Sequence, residues 1–326
     1  MTNVLSIPTK ARYNKYFSVE YVKRKIYMKL VTIGMPVYND KLFLRKSLES
    51  IINQSYSNFE FIISDDCSTD GSAQVCEEYA SKDPRIKYIR QNHNIGISRN
   101  MEFLLQQANG DYFMWAGDDD LWHTDFILSH VNVLENNPNV ISVFSTYVRI
   151  DESDDALFPT YESTSYESKS SLIRLLKLAY YWDDGFGYGM FRKEKIQNVK
   201  FPVWWGVNKK RAYDNIYPTL FYYLSLGEYK HINGKPLLYK RSKNDLNINH
   251  KIPFSTSYVK GFMAFCLWKF NVYVKCIQSI ILSKKLPAIL SLLIVIPFFL
   301  CKWFVNIPSY IKDDLLILLK EKKLIV

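Results

Sequence analysis

Cysteine is scarce in this chain, and the few that occur are not spaced as a metal site or a disulfide framework requires. There are five among 326 residues, scattered at Cys67, Cys76, Cys266, Cys276 and Cys301. None forms a C-x-x-C pair, and no cluster of histidines accompanies them. Structural zinc sites and small disulfide-linked domains both need closely spaced cysteines. The sequence therefore indicates neither, and it favours a reducing compartment.

Two glycine-rich phosphate-binding motifs are also missing. A nicotinamide enzyme would place G-x-G-x-x-G directly after its first strand, where this chain has GMPVYND at 34–40. The later GFGYG at 185–189 has neither the spacing nor the position, and no G-x-x-x-x-G-K-[ST] occurs. The dehydrogenase and P-loop kinase classes are excluded on these grounds. A nucleotidyltransferase would need a glycine-rich loop with Lys or Arg after the first strand, and that loop is absent too.

Long apolar runs are few. The N-terminus lacks the apolar core of a signal peptide, so we expect no secretion. The stretch 286–301 holds sixteen residues without a charge but contains Pro287 and Pro297, whereas a spanning helix wants about 20 apolar residues. The preceding 262–285 is rich in aromatic residues and spaced lysines, as in helices that lie at a membrane interface. We expect 251–326 to be a helical, membrane-associating appendage; a helical subdomain packed on the core is the alternative.

The net charge of +10 is concentrated at the two ends of the chain. Residues 1–29 hold seven basic residues and one acidic residue, and 251–326 hold eleven lysines and three acids. The centre, 30–250, is mildly acidic, with a balance of −4. Basic flanks beside apolar segments fit an anionic membrane surface better than a nucleic-acid groove. We therefore divide the chain into a basic extension (1–28), a folded domain (29–250) and the C-terminal appendage, and expect no nucleic-acid partner.

Short apolar runs alternate with segments of helical period in the folded domain. This pattern predicts an α/β fold with an open, mostly parallel, Rossmann-like sheet flanked by helices. The predicted strands are 30–37, 59–64, 86–90, 111–117 and 140–150, and the predicted helices are 40–54, 70–83, 97–109 and 124–136. A loop is predicted at 151–170, followed by a helix, a glycine-rich strand at 185–192, a helix at 213–226 and a strand near 236–240.

Polar residues follow three of the predicted strands. Tyr38 comes after the first, the pair Asp65 and Asp66 comes after the second, and the triplet 118–120 (Asp-Asp-Asp) comes after the fourth. Ligands of such sheets bind at the carboxyl ends of the strands, so these side chains should share one rim. Turn and cap chemistry would explain the pair alone, and a solvated loop the triplet alone. Packed between apolar runs, a carboxylate triplet instead favours a hard cation such as Mg²⁺ or Mn²⁺.

Four ordered segments resemble the inverting family 2 glycosyltransferases of the GT-A fold. They are TIGMPVYND, FEFIISDDCSTDGS, NHNIGISRN and GDYFMWAGDDDLW, and the resemblance extends over the folded domain. It implies a GT-A sheet and assigns most of the nucleotide-sugar donor site. Pro36 would belong to the donor site, Tyr38 would stack on the base, and Asp66 would contact the base. Asp118 would bind the ribose, while Arg99, near Asn94, Gly96 and Asn100, would meet the diphosphate.

The resemblance also implies a metal site and a catalytic base. Asp119 would hold Mn²⁺ or Mg²⁺ with Asp120, although the family varies at the third acid and the role of Asp120 is open. The base would be Asp214, the second acid of a pair whose first acid is replaced here by Tyr213. A His that many members carry after the last strand is missing from the segment YKRS at 239–242. Gly187 and Gly189 would border the acceptor pocket, or would serve close backbone packing.

The function implied is transfer of a sugar, with inversion, from a nucleotide-diphosphate donor to a hydroxyl acceptor. Uridine is the commonest base in this family, and a glycan or lipid-linked acceptor in bacterial surface polysaccharide synthesis would suit a protein on the cytoplasmic face of the membrane. The aromatic residues Trp182, Trp204 and Trp205 suit stacking on a sugar ring, and equally suit a core. A non-catalytic nucleotide-sugar-binding or scaffold protein with the same fold remains the alternative.

Overall fold

The computed structural model describes residues 29–157, 164–181, 184–201, 203–205, 212–214 and 217–241. The basic extension at 1–28 and the predicted appendage at 251–326 lie outside the described residues, and both assignments stay predictions. In the described ranges, every helix is too short or too polar to span a bilayer.

The first half of the domain follows the predicted alternation of strand and helix. The elements are β1 Val31–Val37, α1 Lys41–Ile52, β2 Phe59–Asp65, α2 Ser72–Lys82, β3 Ile86–Arg90, α3 Ile97–Gln107, β4 Tyr112–Trp115, β5 Leu121–Trp122, α4 Phe126–Asn136 and β6 Val140–Ser145. Strand β1 is buried along almost its whole length, as expected of a strand covered by helices on both faces. The two-residue strand β5 was not predicted, because so short a run carries no periodicity.

The second half departs further from the prediction. It contains β7 Tyr147–Ile150, α5 Ser171–Tyr181, a 3-10 helix at Gly185–Tyr188, β8 Met190–Arg192, α6 Lys193–Ile196, β9 Val203–Trp205, β10 Ala212–Asp214, α7 Tyr217–Leu226, β11 Glu228–Ile232 and β12 Leu238–Arg241. The predicted strand at 140–150 is two strands, separated at Thr146, that belong to different sheets. The predicted glycine-rich strand at 185–192 is strand only from Met190 onward.

The start of the predicted helix at 213–226 is also corrected. Residues Ala212–Asp214 pair with β9 as a strand, and helix α7 begins at Tyr217. Pro218 lies in the first helical turn, where its missing N–H removes no intrahelical hydrogen bond. Asp214 therefore ends a strand shortly before a helix rather than lying inside the helix.

Seven strands form the central sheet, in the order β11-β6-β8-β4-β1-β2-β3. Only β8 runs antiparallel to its neighbours, β4 and β6, so the predicted mostly parallel α/β sheet is confirmed. Hydrophobic clusters cover the sheet on its two faces, with helices packed over each. Gly189 precedes β8, and a Cβ atom there would lie 2.4 Å from the carbonyl oxygen of Val143. Close backbone packing therefore explains why position 189 is a glycine.

A second sheet of three strands, in the order β5-β12-β7, lies next to the acidic triplet. Strand β12 pairs antiparallel with β5 through Leu238 and Trp122, and parallel with β7 through Arg241 and Ile150. Because β5 begins directly after Asp120, this pairing brings residues 238–241 against the loop that carries the three aspartates. The small sheet thus links a late part of the chain to the predicted site.

Candidate active site

The carboxyl ends of β4, β1 and β2 lie side by side, as the strand-end pattern predicted. Strands β1 and β2 are in register with Val37 opposite Asp65, and β1 is in register with β4 with Gly34 opposite Trp115. The residues that follow these strands therefore converge at one edge of the sheet. The backbone N–H of Tyr38 lies 3.4 Å from Oδ2 of Asp118, and this contact joins the segment after β1 to the segment after β4.

Asp65, the first acid of the pair, is an internal structural group. Its side chain is fully buried. It accepts hydrogen bonds from the Ser68 backbone N–H at 2.8 Å, the Tyr88 hydroxyl at 3.0 Å and the Arg90 guanidinium at 2.9 Å. The Arg90 guanidinium also donates to the Ser68 carbonyl. Asp65 thus fixes the turn after β2, and its charge is compensated inside the protein.

Asp66, the second acid, is joined to the loop that was predicted to approach the donor. Its two carboxylate oxygens accept the backbone N–H groups of Ile95 and Gly96, at 2.7 and 2.9 Å. Gly96 has φ +83°, which only glycine adopts without strain. A carboxylate oxygen can accept more than one hydrogen bond, but Asp66 is only 3% exposed. The contact with the base stays a prediction.

The turn after β1 is fixed by short polar links to the turn after β2. The backbone N–H of Asn39 donates to Ser68 Oγ at 3.0 Å, and the Asn39 side-chain oxygen accepts the Thr69 N–H at 2.8 Å. Asp70 accepts the Lys41 N–H at 2.9 Å. Burial acts to raise the pKa of Asp70, but hydrogen bonds from Ser72 and Lys41 outweigh it, and the pKa is lowered. An ionised Asp70 therefore holds the start of α1 in place.

Tyr38 stands at the edge of this fixed turn with an exposed ring. Tyr38 is 51% exposed, which is unusual for a large aromatic residue in this domain. A half-exposed ring beside a rigid, polar rim can stack on a flat apolar group such as a nucleobase. The geometry is compatible with the predicted stacking role, which stays a prediction, as does the assignment of Pro36.

The acidic cluster at the rim contains a residue that the sequence did not single out. Asp40, Asp118 and Asp119 each offer a carboxylate oxygen, and these oxygens all lie within 4.8 Å of one another. Hard oxygen donors at such a spacing fit a divalent cation such as Mg²⁺ or Mn²⁺, with water and phosphate oxygens completing the shell. The position of Asp40, three residues beyond the buried strand β1, was the only signal in the sequence, and it was overlooked.

Asp120 is not brought into this cluster. It is 3% exposed, and its Oδ1 accepts the backbone N–H of Arg241 at 2.9 Å. The three acids of the triplet thus divide, with Asp118 and Asp119 facing Asp40 and Asp120 facing β12. A metal-binding role for Asp120 stays a prediction, and the structure gives its carboxylate a structural contact instead.

Arg99 lies in the first turn of α3, and its side chain is 64% exposed. Its guanidinium is 3.5 Å from Glu102, a largely buried carboxylate. Glu102 also accepts the Phe201 backbone N–H at 2.7 Å, which ties α3 to the segment leading into β9. An exposed cation near the Gly96 loop is compatible with a diphosphate contact, and that role stays a prediction.

Two predicted acceptor-side features are only partly described. Asp214 is the last residue of β10, in register with Val203 of β9, and Trp204 and Trp205 belong to β9. The structure describes their backbone placement, while Trp182 lies outside the described residues. The role of Asp214 as catalytic base therefore stays a prediction.

A half-buried lysine borders the acidic triplet from the second sheet, and the sequence analysis assigned it no role. Lys240 Nζ lies 3.5 Å from Asp184 and 4.2 Å from the centre of the Tyr188 ring. Burial lowers the pKa of Lys240, but Tyr188 and Asp184 raise it by more, so its pKa is raised overall. Burial raises the pKa of Tyr188 to about 12. The site thus carries a stable positive charge on the side of Asp120.

Comparison with known proteins agrees with this geometry. Residues 32–199, which contain the whole rim from β1 through the acidic triplet, match the family model described as Glycosyl transferase family 2. The chain belongs to this family. The predicted resemblance to family 2 is thereby confirmed.

Several relatives carry names from the same family. Glycosyltransferase GlyA of Streptococcus pneumoniae is 32% identical over 140 residues, which are 43% of this chain and 20% of GlyA. Glycosyltransferase GlyG of the same species is 24% identical over 226 residues, covering 67% of this chain and 72% of GlyG. The putative teichuronic acid biosynthesis glycosyltransferase TuaG of Bacillus subtilis is 35% identical over 98 residues, or 29% of this chain and 38% of TuaG. GlyA and TuaG are thus matched over less than half of their own length.

The fold is shared with a solved structure. Residues 1–349 of S. aureus TarS, in complex with UDP-GlcNAc, superpose with a TM-score of 0.55 at 16% identity. The match covers 83% of this chain and 71% of that one. At this identity the likeness concerns the fold alone, and it agrees with a GT-A-like arrangement of the sheet and its flanking helices.

Proposed function

We propose that this glycosyltransferase moves a sugar from a nucleoside diphosphate donor to a hydroxyl acceptor with inversion, in a divalent-metal-dependent reaction. The observation that carries the proposal is the convergence of Asp40, Asp118 and Asp119 beside the half-exposed ring of Tyr38. A nucleoside diphosphate needs a stacking surface for its base and a charge-neutralising site for its phosphates. At this rim, the Tyr38 ring offers the stacking surface and the three carboxylates offer the site for a charge-neutralising cation.

The three carboxylates are the residues that would hold the cation. When bound there, Mg²⁺ or Mn²⁺ would supply charge neutralisation for the leaving diphosphate. Asp118 would also reach the ribose, Asp66 the base, and Arg99 the diphosphate. A uridine donor is the form that we favour, and the solved complex of S. aureus TarS with UDP-GlcNAc, a protein with the same fold, supports that choice.

Asp214 would act as the general base of a single displacement. Its carboxylate takes the proton of the acceptor hydroxyl as the acceptor oxygen bonds to the anomeric carbon. The bond from that carbon to the diphosphate oxygen breaks in the same step, and the electron pair leaves with the diphosphate. An α-linked donor gives a β-linked product. The position of Asp214 at the end of β10, shortly before α7, supports this role.

A thermal-shift screen tests the proposed donor class. We expect one nucleoside diphosphate sugar to raise the melting temperature in the presence of Mn²⁺ and not in the presence of EDTA, because a ligand at about 100 times its Kd stabilises by about 2.7 kcal/mol. Turnover of the stabilising donor would separate the enzyme from a non-catalytic binding protein. Equal stabilisation with and without the metal would contradict the metal-dependent mechanism.

Asp40 provides a test of the cluster that does not depend on the family motifs. Asp40→Asn keeps the side-chain shape but removes one charge, so we expect the Mn²⁺ concentration that gives half-maximal activity to rise about tenfold. Asp111→Asn is the matched control, because Asp111 pairs with Lys29 at the opposite end of the sheet. An unchanged metal requirement in the Asp40 variant would remove this residue from the cation site.

We propose further that the acceptor is a growing glycan or a lipid-linked sugar at the cytoplasmic face of the membrane. The name of TuaG, a relative assigned to teichuronic acid biosynthesis, supports a polymer acceptor. The eleven lysines at 251–326 support binding to anionic lipid. We expect the full chain to float with phosphatidylglycerol vesicles and to be released by high salt. Failure of the full chain to float with anionic vesicles at low salt would contradict the membrane proposal.

A further inference from the structure

Arg241 is a buried arginine that contacts three separate parts of the site's framework. Its side chain has no exposed surface. Nε donates to the carbonyl oxygen of Asp119 at 3.1 Å, while Nη1 and Nη2 donate to the Asp151 carbonyl oxygen and to Asp154 Oδ1. The guanidinium carbon lies 4.2 Å from the centre of the Phe43 ring. Every nitrogen of the planar group therefore has an acceptor, and its face has an aromatic partner.

These contacts reach both elements that supply the acidic cluster. Phe43 lies in the first turn of α1, and the Leu44 backbone N–H donates to the Asp40 carbonyl oxygen, so Asp40 begins that helix. Asp119 belongs to the loop after β4. One guanidinium thus lies between the helix that begins at Asp40 and the loop that carries the other two carboxylates.

The backbone of Arg241 reinforces the same loop. Its N–H donates to Asp120 Oδ1 at 2.9 Å, so residue 241 holds two consecutive residues of the triplet. The turn at 151–154 is in turn linked to α1 through the ion pair of Lys46 with Asp154. Burial raises the pKa of Asp154, but Lys46 and Arg241 outweigh it and the pKa is lowered, so the anchor stays ionised.

Holding the loop in place opposes the electrostatic repulsion among the three carboxylates of the acidic cluster. Carboxylates held within a few ångströms repel one another when no cation is bound, and a free loop would relax by moving them apart. We propose that Arg241 is a positioning residue that holds the loop at 117–120 against α1, so that Asp40, Asp118 and Asp119 are arranged for a divalent cation before it arrives. The proposal rests on the metal-dependent part of the proposed function.

A lysine at this position separates geometry from charge. Lys carries one nitrogen in place of the planar fork, so it can reach Asp154 but cannot donate simultaneously to the Asp119 carbonyl oxygen. Arg241→Lys therefore keeps the positive charge and the backbone hydrogen bond to Asp120, but loses the side-chain hydrogen bond to the Asp119 carbonyl oxygen. We expect the Kd for Mn²⁺ alone, followed by electron paramagnetic resonance, to rise about tenfold, as is typical when an outer-shell partner of a metal site is lost.

Arg192 supplies the matched control. It is a half-buried arginine whose guanidinium also donates to backbone carbonyls, those of Leu134, Asn137 and Val140, but it lies at the opposite end of the sheet. Arg192→Lys should lower the melting temperature without changing Mn²⁺ binding. Saturating Mn²⁺ should restore most of the kcat of Arg241→Lys, which a residue that touches the reacting atoms would not permit.

The outcomes separate this inference from the proposed function. Wild-type Mn²⁺ affinity in Arg241→Lys, an equal loss in Arg192→Lys, or no Mn²⁺ binding by the wild-type protein with or without UDP would each overturn the positioning role. Mn²⁺ binding that is weakened in Arg241→Lys but not in Arg192→Lys supports the positioning role. If, in addition, no nucleotide sugar is turned over, only the proposed function fails. If Arg241→Lys does not fold, Asp154→Asn decides: a smaller shift in the same direction supports the role, and none overturns it.

Discussion

Replacing Asp119 by alanine should abolish the metal-dependent stabilisation of the protein by its donor while leaving the fold intact. Asp119 is partly exposed, and its carboxylate belongs to the cluster with Asp40 and Asp118. Its removal therefore leaves no cavity in the core, but it takes away one of three ligands. Melting curves with donor, recorded over a series of Mn²⁺ concentrations, measure the effect. Undiminished manganese-dependent stabilisation in this variant would refute the assignment.

Asp120→Ala is the control that the structure provides beside it. Asp120 accepts the Arg241 N–H, so alanine leaves a buried donor without its acceptor, at a cost of about 1–3 kcal/mol of folding free energy. We expect a lower melting temperature of the free protein and a milder loss of metal-dependent donor binding. The two neighbouring aspartates should thus separate into one that acts mainly on the ligand and one that acts mainly on the fold. Equal loss of metal dependence would place Asp120 among the ligands.

The part of the fold that could be predicted is the part with local, periodic signals. Strands β1 to β4 and helices α1 to α4 agree with the sequence pattern to within a few residues, because alternating buried runs and amphipathic helices are properties of short segments. The rim formed by Tyr38, Asp66 and the acidic triplet followed from one rule, that parallel strands end at the same edge. Family motifs then named the chemistry.

What could not be predicted depends on pairing between distant segments. The antiparallel insertion of β8 between β4 and β6 has no local signal, and three residues of strand carry little periodicity. Arg241 reaches Asp120 across 121 positions of the chain, through a three-stranded sheet that no pattern announced. Asp40 was overlooked for a related reason. Its neighbours in the cluster are supplied by the loop after β4, and its own segment reads as an ordinary helix start.

Asp214→Asn is the second variant with a large expected effect. Asparagine keeps the shape of the side chain and removes its basicity, so the acceptor hydroxyl has no proton acceptor as it attacks. General-base catalysis contributes about 10²–10⁴-fold, and we expect kcat to fall by that factor. The Kd of the donor should change little, because the proposed donor contacts lie at the ends of β1, β2 and β4 and at the start of α3, and Asp214 is not among them. Initial rates at saturating donor and acceptor, with donor binding measured separately, give both numbers.

Two acidic residues decide whether a loss of rate is specific to Asp214. Glu194→Gln is the inert control, because Glu194 is exposed, pairs with Lys195 and lies at the end of the sheet opposite the rim. Asp184→Asn tests a rival on the described part of the chain, since Asp184 pairs with Lys240 beside the acidic triplet. If Asp214→Asn keeps more than about a tenth of the wild-type rate while Asp184→Asn loses it, the base is Asp184. The acceptor hydroxyl must then approach from the side of Lys240, whose ammonium nitrogen lies 3.5 Å from the Asp184 carboxylate.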